Sequence, residues 1–197
     1  MRPDLEVIAG LVPHGARVLD LGCGDGQLLQ TLIQQRGCSG TGVENDPESL
    51  IAAIRRGVSV MEVDIDDEDP AGLAEFADST YDLVIVSQTL QTTRRPDRVL
   101  DHVQRIAGRG IISVPNFGYW KHRFQLLVGG RMPVSSAIPH PWYDTPNIHL
   151  SSLRDVETLI AERGFEVQEQ VTLGRDGFAI RTPVPNVVAS GAVYLLG

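Results

Sequence analysis

The sequence predicts an α/β fold, in which helices cover both faces of a mostly parallel sheet. Short apolar runs rich in β-branched residues alternate with longer segments of helical periodicity, which is typical of parallel sheets. A glycine-rich turn, DLGCGDG at 20–26, follows the first apolar run. The chain has 197 residues, of which 42% are hydrophobic, and this suits one core. We therefore expect a single domain over 1–197.

Each element has a local signal in the sequence. A short helix is expected over Asp4–Leu11. Strands are predicted at Arg17–Leu21, Gly40–Glu44, Val58–Val63, Tyr81–Val86 and Gly110–Val114. Helices are predicted between them at 26–36, 47–56, 70–77 and 96–107, with prolines at 47, 70 and 96 where a first turn tolerates them. Five strand–helix units result.

The C-terminal part predicts one further helix and an antiparallel pair of strands. A serine opens the helix Ser151–Arg163, and Gly164 lies just beyond its end as a cap. Strand-like runs follow at Glu166–Leu173 and Ala192–Leu196, joined by a long loop with glycines and prolines. We expect them to form a hairpin at the edge of the sheet.

Residues 115–150 fit no strand or helix of this scheme and are predicted to form a functional insert. The insert contains both tryptophans and more aromatic and aliphatic residues than a solvated loop needs. We expect Trp120 and Leu127 to pack inside, and Trp142 and Tyr143 to lie near a ligand crevice. Only 16 residues precede the first strand, so either the insert or another protein is expected to cover that crevice.

Composition narrows the class of partner. The formal charge is −8 and the pI about 5.0, so nucleic acid is not expected as a partner. No apolar run is long enough for a membrane helix and the N-terminal residues lack a secretory pattern, so a cytoplasmic location is expected. Cys23 and Cys38 are interpreted as reduced, buried thiols, and no metal site is expected.

The glycine-rich turn is the candidate ligand site, because ligands of open α/β sheets bind beyond the carboxyl ends of the strands. A dinucleotide fingerprint requires a small residue where this chain has Gln27. Asp20 and Asp25 would repel a pyrophosphate but favour an amine or a sulfonium. S-adenosylmethionine carries both cations, so it or S-adenosylhomocysteine is the predicted cofactor.

Three further strand ends complete the predicted site. Glu44, which lies 22 positions after Gly22, is placed to accept hydrogen bonds from both ribose hydroxyls. Asp64 is expected to accept from the adenine amine while Ile65 packs on the ring. The predicted cofactor-binding residues are Asp20, Gly22, Cys23, Gly24, Glu44, Asn45, Asp64, Ile65 and Ser87.

Two sets of strings carry a family resemblance. VLDLGCGDGQLL at 18–29, GVENDP, VDIDD and YDLVIVSQTLQ at 81–91 resemble the class I S-adenosylmethionine-dependent methyltransferases. The run from SVPNFGYW to WYDTPNIHL, within and just before the insert, resembles the MetW family of methionine biosynthesis proteins. The resemblance implies a Rossmann-like class I methyltransferase sheet with an antiparallel C-terminal edge. It also implies a role in the methionine pathway with homoserine O-acyltransferase, which we expect to dock on residues 115–150.

The catalytic status stays open. Tyr143 and His149 are the catalytic candidates, among the insert residues His140, Tyr143, Asp144 and His149, with Asn116 just after the fifth strand. SQTLQ after the fourth strand is not the N-P-P-Y or D-P-P-Y motif of amino-methylating enzymes, which disfavours methylation of nucleic-acid bases.

Three functions are considered. The first is a subunit that activates the acyltransferase, with or without the methyl donor as a signal, and the second is a free-standing methyltransferase on a small metabolite. The third, a nicotinamide-dependent oxidoreductase, is disfavoured by Gln27 and Asp25 and by the lack of a substrate domain.

Overall fold

A computed structural model describes residues 2–67 and 72–197 and contains one eight-stranded mixed sheet. The strands are β1 (Arg17–Leu21), β2 (Ser39–Glu44), β3 (Ser59–Glu62), β4 (Leu83–Ser87), β5 (Gly110–Pro115), β6 (Val167–Leu173), β7 (Ala179–Ile180) and β8 (Gly191–Leu196). The helices are α1 (Pro3–Leu11), α2 (Gln27–Arg36), α3 (Pro47–Arg55), α4 (Pro96–Ile106), α5 (Trp120–Gly129), α6 (Leu153–Glu162) and α7 (Pro185–Val188). The spatial order of the strands is β3-β2-β1-β4-β5-β8-β6-β7.

Strands β1 to β5 are all parallel, as predicted. The order reverses between β1 and β4, which lie side by side although two strands separate them in the chain. β4 begins at Leu83 rather than at Tyr81, because the backbone N–H groups of Tyr81 and Asp82 donate to Ile106 and Arg17 outside the β4 ladder. The reversal creates a crevice at the carboxyl ends of β1 and β4.

The C-terminal strands form the antiparallel part of the sheet. β6 and β8 pair antiparallel, which confirms the predicted pairing. β8 is an interior strand, since it also pairs antiparallel with β5, and the two-residue strand β7 adds to the outer side of β6. The residues of β8 are almost all buried, because its side chains enter the cores on both faces of the sheet.

The helix boundaries follow the caps that the sequence contains. Pro47 opens α3, and the Asp46 side chain accepts from the Ser49 N–H at 2.8 Å. Ser152 and Asp155 form a reciprocal capping box at the start of α6. The helix predicted over 70–77 lies partly outside the described residues, and 72–77 contain only a short 3₁₀ turn, Leu73–Glu75.

Apolar side chains form a core on each face of the sheet. One face of β1 and β4 packs with α4 and α6, and the other face packs with α1 and α2. Successive side chains of a strand point to opposite faces, so neighbours in β1 enter different cores: Leu19 and Leu21 enter the first, and Val18 the second. No helix within 2–67 and 72–197 is long and apolar enough to cross a membrane.

The insert consists of α5 followed by an irregular segment. His122 is the buried anchor of α5: its Nδ1 lies 3.2 Å from the Asn116 carbonyl oxygen and its Nε2 lies 2.8 Å from the Ser135 Oγ. Trp120 and Leu127 are 46% and 85% exposed, so the prediction that both pack inside is wrong. The reason is helical geometry, because Trp120 and Leu127 share the face opposite to His122.

Candidate functional site

The glycine-rich turn lies at the carboxyl end of β1, where two of its glycines have different surroundings. The N–H groups of Gly22 and Cys23 donate to the Val43 carbonyl oxygen at 2.8 and 3.0 Å. Gly22 has a φ of +72°, and a Cβ there would overlap the side chain of Thr89. Gly24 has a φ of +55°, and its missing Cβ would meet open space. The turn therefore leaves a backbone surface that a ligand can approach.

Glu44, at the end of β2, fixes the conformation of this turn. Its Oε2 accepts from the Gly24 N–H at 2.8 Å. Its Oε1 accepts from the N–H groups of Asn45 and Asp46 at 2.9 and 3.0 Å. A carboxylate offers about four lone-pair positions, so roughly one stays free for a ligand. Acceptance from both ribose hydroxyls would require Glu44 to release one backbone N–H.

Asp20 is a buried carboxylate beside the turn. It is 1% exposed, and its Oδ1 accepts no hydrogen bond from any described residue. Burial, together with the nearby Glu44 charge, raises the pKa of Asp20 to about 7, and the Arg2 guanidinium partly opposes this. A cationic ligand group would stabilise the ionised form.

Cys23 contributes its backbone and its bulk rather than a reactive thiol. Burial and the charges of Asp20 and Glu44 raise the pKa of the Cys23 thiol to about 12. The thiol is therefore protonated at neutral pH and is a poor nucleophile. Its side chain packs closely against β2, where a Cβ on Gly42 would overlap the sulfur.

A cavity of about 190 Å³ joins the glycine turn to the ends of β2 and β3. It brings together five of the predicted cofactor-binding residues, which are Gly22, Glu44, Asn45, Asp64 and Ile65. The Asp64 Oδ1 accepts from the Asp66 N–H at 2.9 Å, which holds the loop after β3 in place. Thr89 and Thr92 close the cavity from the loop after β4.

Ser87, another predicted cofactor-binding residue, lies on the β4 side of the strand reversal, whereas the glycine-rich turn lies on the β1 side. It is buried at the end of β4, where its Oγ lies 3.2 Å from the Arg2 Nη2 and 3.3 Å from the Ser113 Oγ. The next residue, Gln88, has a φ of +55°, which is uncommon for a residue other than glycine. Ser87 does not line the 190 Å³ cavity.

The two catalytic candidates of the insert lie apart from this cavity. Tyr143 is 75% exposed and packs edge-to-face on Trp142, with ring centroids 5.7 Å apart. His149 is exposed, with its Nε2 3.4 Å from the Arg94 carbonyl oxygen. Asn116 is buried, and its amide bonds the backbone of Gly118, Asn186 and Ala189, which is a structural use. In the described ranges no three His, Cys, Asp or Glu side chains are grouped to hold a metal ion.

Three residues near the strand ends were not identifiable from the sequence as part of the site. Arg2 reaches Ser87 from the N-terminal segment, Thr89 fills the space beside Gly22, and Gln91 lies buried under the end of the insert. Thr89 and Gln91 belong to the string YDLVIVSQTLQ, but nothing in that string distinguishes a lining residue from a solvated one. Arg2 belongs to no motif in the sequence, and only folding brings it to the crevice.

The strand order and the crevice at its reversal define the class I S-adenosylmethionine-dependent methyltransferase fold. A methyltransferase from Mesorhizobium loti is similar over 97% of this chain and 95% of its own, with a TM-score of 0.70 and 14% identity. One from Thermotoga maritima is similar over 98% and 86%, with a TM-score of 0.69 and 18% identity. The [4+2]-cyclase SpnF is also similar, over 98% and 79%, with a TM-score of 0.67 and 15% identity. The fold alone therefore does not define the reaction.

The family follows from sequence similarity. The model of the methionine biosynthesis protein MetW matches residues 2–196, so the chain belongs to the MetW family of methionine biosynthesis proteins. A bifunctional methionine biosynthesis protein MetXA/MetW from Rhodopirellula baltica is 33% identical over 177 residues, which cover 85% of this chain. The chain spans 28% of the length of that relative.

Proposed function

We propose that this protein binds S-adenosylmethionine or S-adenosylhomocysteine in the crevice and activates homoserine O-acyltransferase. The proposal of this partner rests on the Rhodopirellula baltica relative, in which a MetXA part and a MetW part share one chain. MetX proteins are homoserine acyltransferases. Parts that are fused in one protein are candidates for association when they are separate chains, because the linker only raises their effective concentration.

The described residues fit a methyl donor in three ways. The Asp20 Oδ1 is a buried acceptor that receives no hydrogen bond within residues 2–67 and 72–197, which suits the ammonium or the sulfonium of S-adenosylmethionine. The open space at Gly24 lets the ligand contact the backbone, and Glu44 keeps one lone pair for a ribose hydroxyl. Asp64 and Ile65 border the same cavity for the adenine. The bound donor would supply an electrophilic methyl group, while these residues bind and orient it.

Isothermal titration calorimetry with S-adenosylhomocysteine tests the donor site. Glu44→Ala is expected to weaken binding about 10- to 150-fold, the loss typical of a hydrogen bond to a charged group. Glu44→Gln keeps the side-chain volume and one oxygen acceptor, so it separates loss of charge from collapse of the turn. The control is Glu48→Ala, since Glu48 is exposed in the first turn of α3. Unchanged affinity in Glu44→Ala would refute the ribose assignment.

The insert offers the surface on which we place the acyltransferase. Seven of its exposed large apolar side chains are named here the insert surface: Trp120, Phe124, Leu126, Leu127, Val128, Trp142 and Tyr143. Large apolar side chains that are exposed in number often mark interaction sites, and buried aromatic side chains dominate the energy of most interfaces. Trp142 is 74% exposed, so a partner could bury most of it.

Co-purification with tagged homoserine O-acyltransferase tests the insert surface. Trp142→Ala and Leu127→Ala are each expected to weaken the complex by about 2 kcal/mol, or roughly 30-fold in Kd. Phe178→Ala is the matched control, because Phe178 is an exposed aromatic residue outside the insert. A complex that forms normally with both insert variants would place the interface elsewhere on the chain.

The second candidate function is a free-standing methyltransferase acting on a small metabolite. A second cavity of about 510 Å³ favours it, because the insert covers the ends of β4 and β5 and leaves room there for a small acceptor. Positioning can supply much of the rate of methyl transfer, so the exposed positions of Tyr143 and His149 do not argue against it. If the acyltransferase neither binds this protein nor changes its rate, the second function becomes the better one.

A further inference from the structure

We infer that the 510 Å³ cavity is a second ligand site and that it binds a small zwitterion of the free amino acid class. The cavity lies between the start of α1, the ends of β4 and β5, the insert and the loop between β6 and β7. Its volume lies within the range of small-molecule sites. The same cavity would hold the acceptor of the second candidate function, and the inference names the chemical class of molecule that it takes. Apart from Thr92, the residues that line it differ from those that line the 190 Å³ cavity, so the two sites can be tested separately.

The wall of the cavity carries two guanidinium groups. Among the described residues, Arg2 makes side-chain hydrogen bonds only through its Nη2, which lies 3.2 Å from the Asp4 Oδ2 and 3.2 Å from the Ser87 Oγ. The Arg175 side chain lines the same space and is exposed, and its guanidinium bonds no side chain or carbonyl in the described ranges. Each guanidinium has five N–H donors, so both keep donors for a ligand carboxylate.

The same wall carries two carboxylates. Asp4 is buried and pairs with Arg2, and Asp176 is exposed, with its Oδ1 3.3 Å from the Phe178 N–H. Two positive and two negative side chains leave the wall close to neutral. A polyanion gains little from such a wall, whereas a molecule with one cation and one anion can pair with both signs.

Buried Gln91 adds an unsatisfied acceptor to this wall. Gln91 is 6% exposed, and its Nε2 donates to the Gln88 carbonyl oxygen at 2.8 Å. Its Oε1 receives no hydrogen bond from any residue of the described ranges. A buried amide oxygen without a donor is costly, so a ligand ammonium or hydroxyl reaching it would stabilise the complex.

The remaining lining is mixed: polar residues such as Gln88, Ser136 and Asn147 alternate with apolar ones. Pro3, Pro115, Pro139, Pro146 and Leu173 border the space beside the charged groups. A wall that combines both charges with aliphatic and proline surface matches a zwitterionic head group with a short side chain. We therefore assign the ligand to the free amino acids rather than to inorganic anions.

The roof of the cavity is held by specific hydrogen bonds. The Gln91 carbonyl oxygen accepts from the N–H groups of Ile148 and His149 at 2.9 and 3.0 Å. On the opposite side, the Ser136 Oγ donates to the Arg175 carbonyl oxygen at 3.0 Å. The insert is thus hydrogen-bonded to the loop after β4 and to the loop between β6 and β7. Gln91 both lines the cavity and holds the end of the insert over it. A ligand bound at Gln91 would contact a residue that holds the end of the insert.

Calorimetry with four probes, L-alanine, L-norvaline, L-homoserine and L-methionine, tests this site. At least one is expected to bind saturably with a Kd below about 10 mM. The N-acetyl and carboxamide derivatives of that probe should bind at least about tenfold more weakly, because each lacks one charge. Binding should be retained in the presence of saturating S-adenosylhomocysteine.

Matched variants test whether the probe binds in this cavity. Arg175→Gln and Asp176→Asn are each expected to lower the affinity for the probe by about tenfold or more, since each removes one charged partner. Both residues are exposed, and the amide that replaces the Asp176 carboxylate keeps an oxygen to accept from the Phe178 N–H, so the fold should be unaffected. Arg181→Gln, at an exposed arginine outside the cavity, should leave the affinity unchanged.

Three results would overturn the inference. The first is the absence of binding for all four probes up to about 10 mM. The second is binding that neither Arg175→Gln nor Asp176→Asn weakens. The third is displacement of the probe by S-adenosylhomocysteine together with loss of binding in Glu44→Ala, which would place the amino acid in the donor crevice. Failure of S-adenosylhomocysteine to bind would refute the donor proposal and leave this one intact.

Discussion

At the scale of single residues, Asp20 combines burial with an oxygen to which no described residue donates. Its neighbours include the Glu44 carboxylate, which disfavours a second negative charge, and the Arg2 guanidinium, which favours one. The raised pKa means that the folded protein binds a proton at Asp20 up to a higher pH than the unfolded chain does. A ligand cation would reverse this preference, so Asp20 couples ligand binding to pH.

The pH dependence of stability tests this description of Asp20. The raised pKa favours the protonated form in the fold, so the associated stability is complete below pH 3.8 and is lost as the pH rises through about 7. At about 1.4 kcal/mol for each pH unit between the two pKa values, the penalty reaches roughly 4 kcal/mol. By urea unfolding, Asp20→Asn should therefore exceed the wild type in stability at pH 8, and by a much smaller margin at pH 4.5. An equal difference at both pH values would contradict this.

The two glycines of the turn allow a matched comparison. Gly22→Ala is expected to cost more than Gly24→Ala, because both substitutions place an L-residue at positive φ but only the first also overlaps Thr89. The conformational part is about 1–2 kcal/mol for each variant. Thr89→Ala removes the atoms in the way and should recover part of the loss in Gly22→Ala but none in Gly24→Ala. Urea unfolding of the single and double variants measures this, and equal costs for both glycines would refute it.

At the scale of elements, the insert is held to the sheet by His122 rather than by its large aromatic residues. Burial lowers the pKa of His122, although the carbonyl oxygens of Asn116 and Phe117 act in the opposite direction. The neutral ring can donate from Nδ1 to the Asn116 carbonyl oxygen and accept at Nε2 from the Ser135 hydroxyl. Protonation would turn the accepting nitrogen into a donor, so the Ser135 hydroxyl would have to rotate and accept, and it would also place a positive charge in a buried site.

Acidification is therefore expected to loosen the insert. With a lowered pKa, the stability that His122 provides is present above pH 6.5 and is lost as the pH falls through the folded-state pKa. Hydrogen exchange of residues 120–138 should accelerate between pH 7.5 and 5, after correction for the intrinsic rate, more than exchange of β8 does. His122→Gln should abolish this difference, whereas His14→Gln, at an exposed histidine, should preserve it. A pH effect that persists in His122→Gln would contradict the assignment.

The elements also show what the sequence can and cannot predict. Strands β1, β4 and β5 were predictable because each is a local apolar run, and the position of Glu44 beside the glycine-rich turn was predictable because its spacing from Gly22 reflects one strand–helix–strand unit. The face of α5 was not predictable, because apolar residues surround a single buried histidine and periodicity cannot identify it as the anchor. The second cavity joins Arg2, Gln91 and Arg175, which come from distant segments and form no pattern in sequence.

At the scale of the whole molecule, the crevice proposed for the methyl donor and the insert both adjoin the carboxyl ends of the parallel strands. The carboxyl ends of β1, β2 and β3 border the crevice, while the end of β5 leads directly into the insert. The loop after β4 contacts both, since Thr92 lines both cavities and Gln91 holds the end of the insert. This loop is the element through which the proposed ligands and the proposed partner would be coupled, and such coupling must be reciprocal.

The most direct test of the central claim is the steady-state rate of homoserine O-acyltransferase as a function of added protein. We predict that the rate rises saturably with the wild type and with Phe178→Ala. Leu127→Asp should leave the rate near its basal value, because it places a charge in the buried part of the interface. A rate that is independent of the wild-type protein at every concentration would contradict the claim and favour a free-standing methyltransferase.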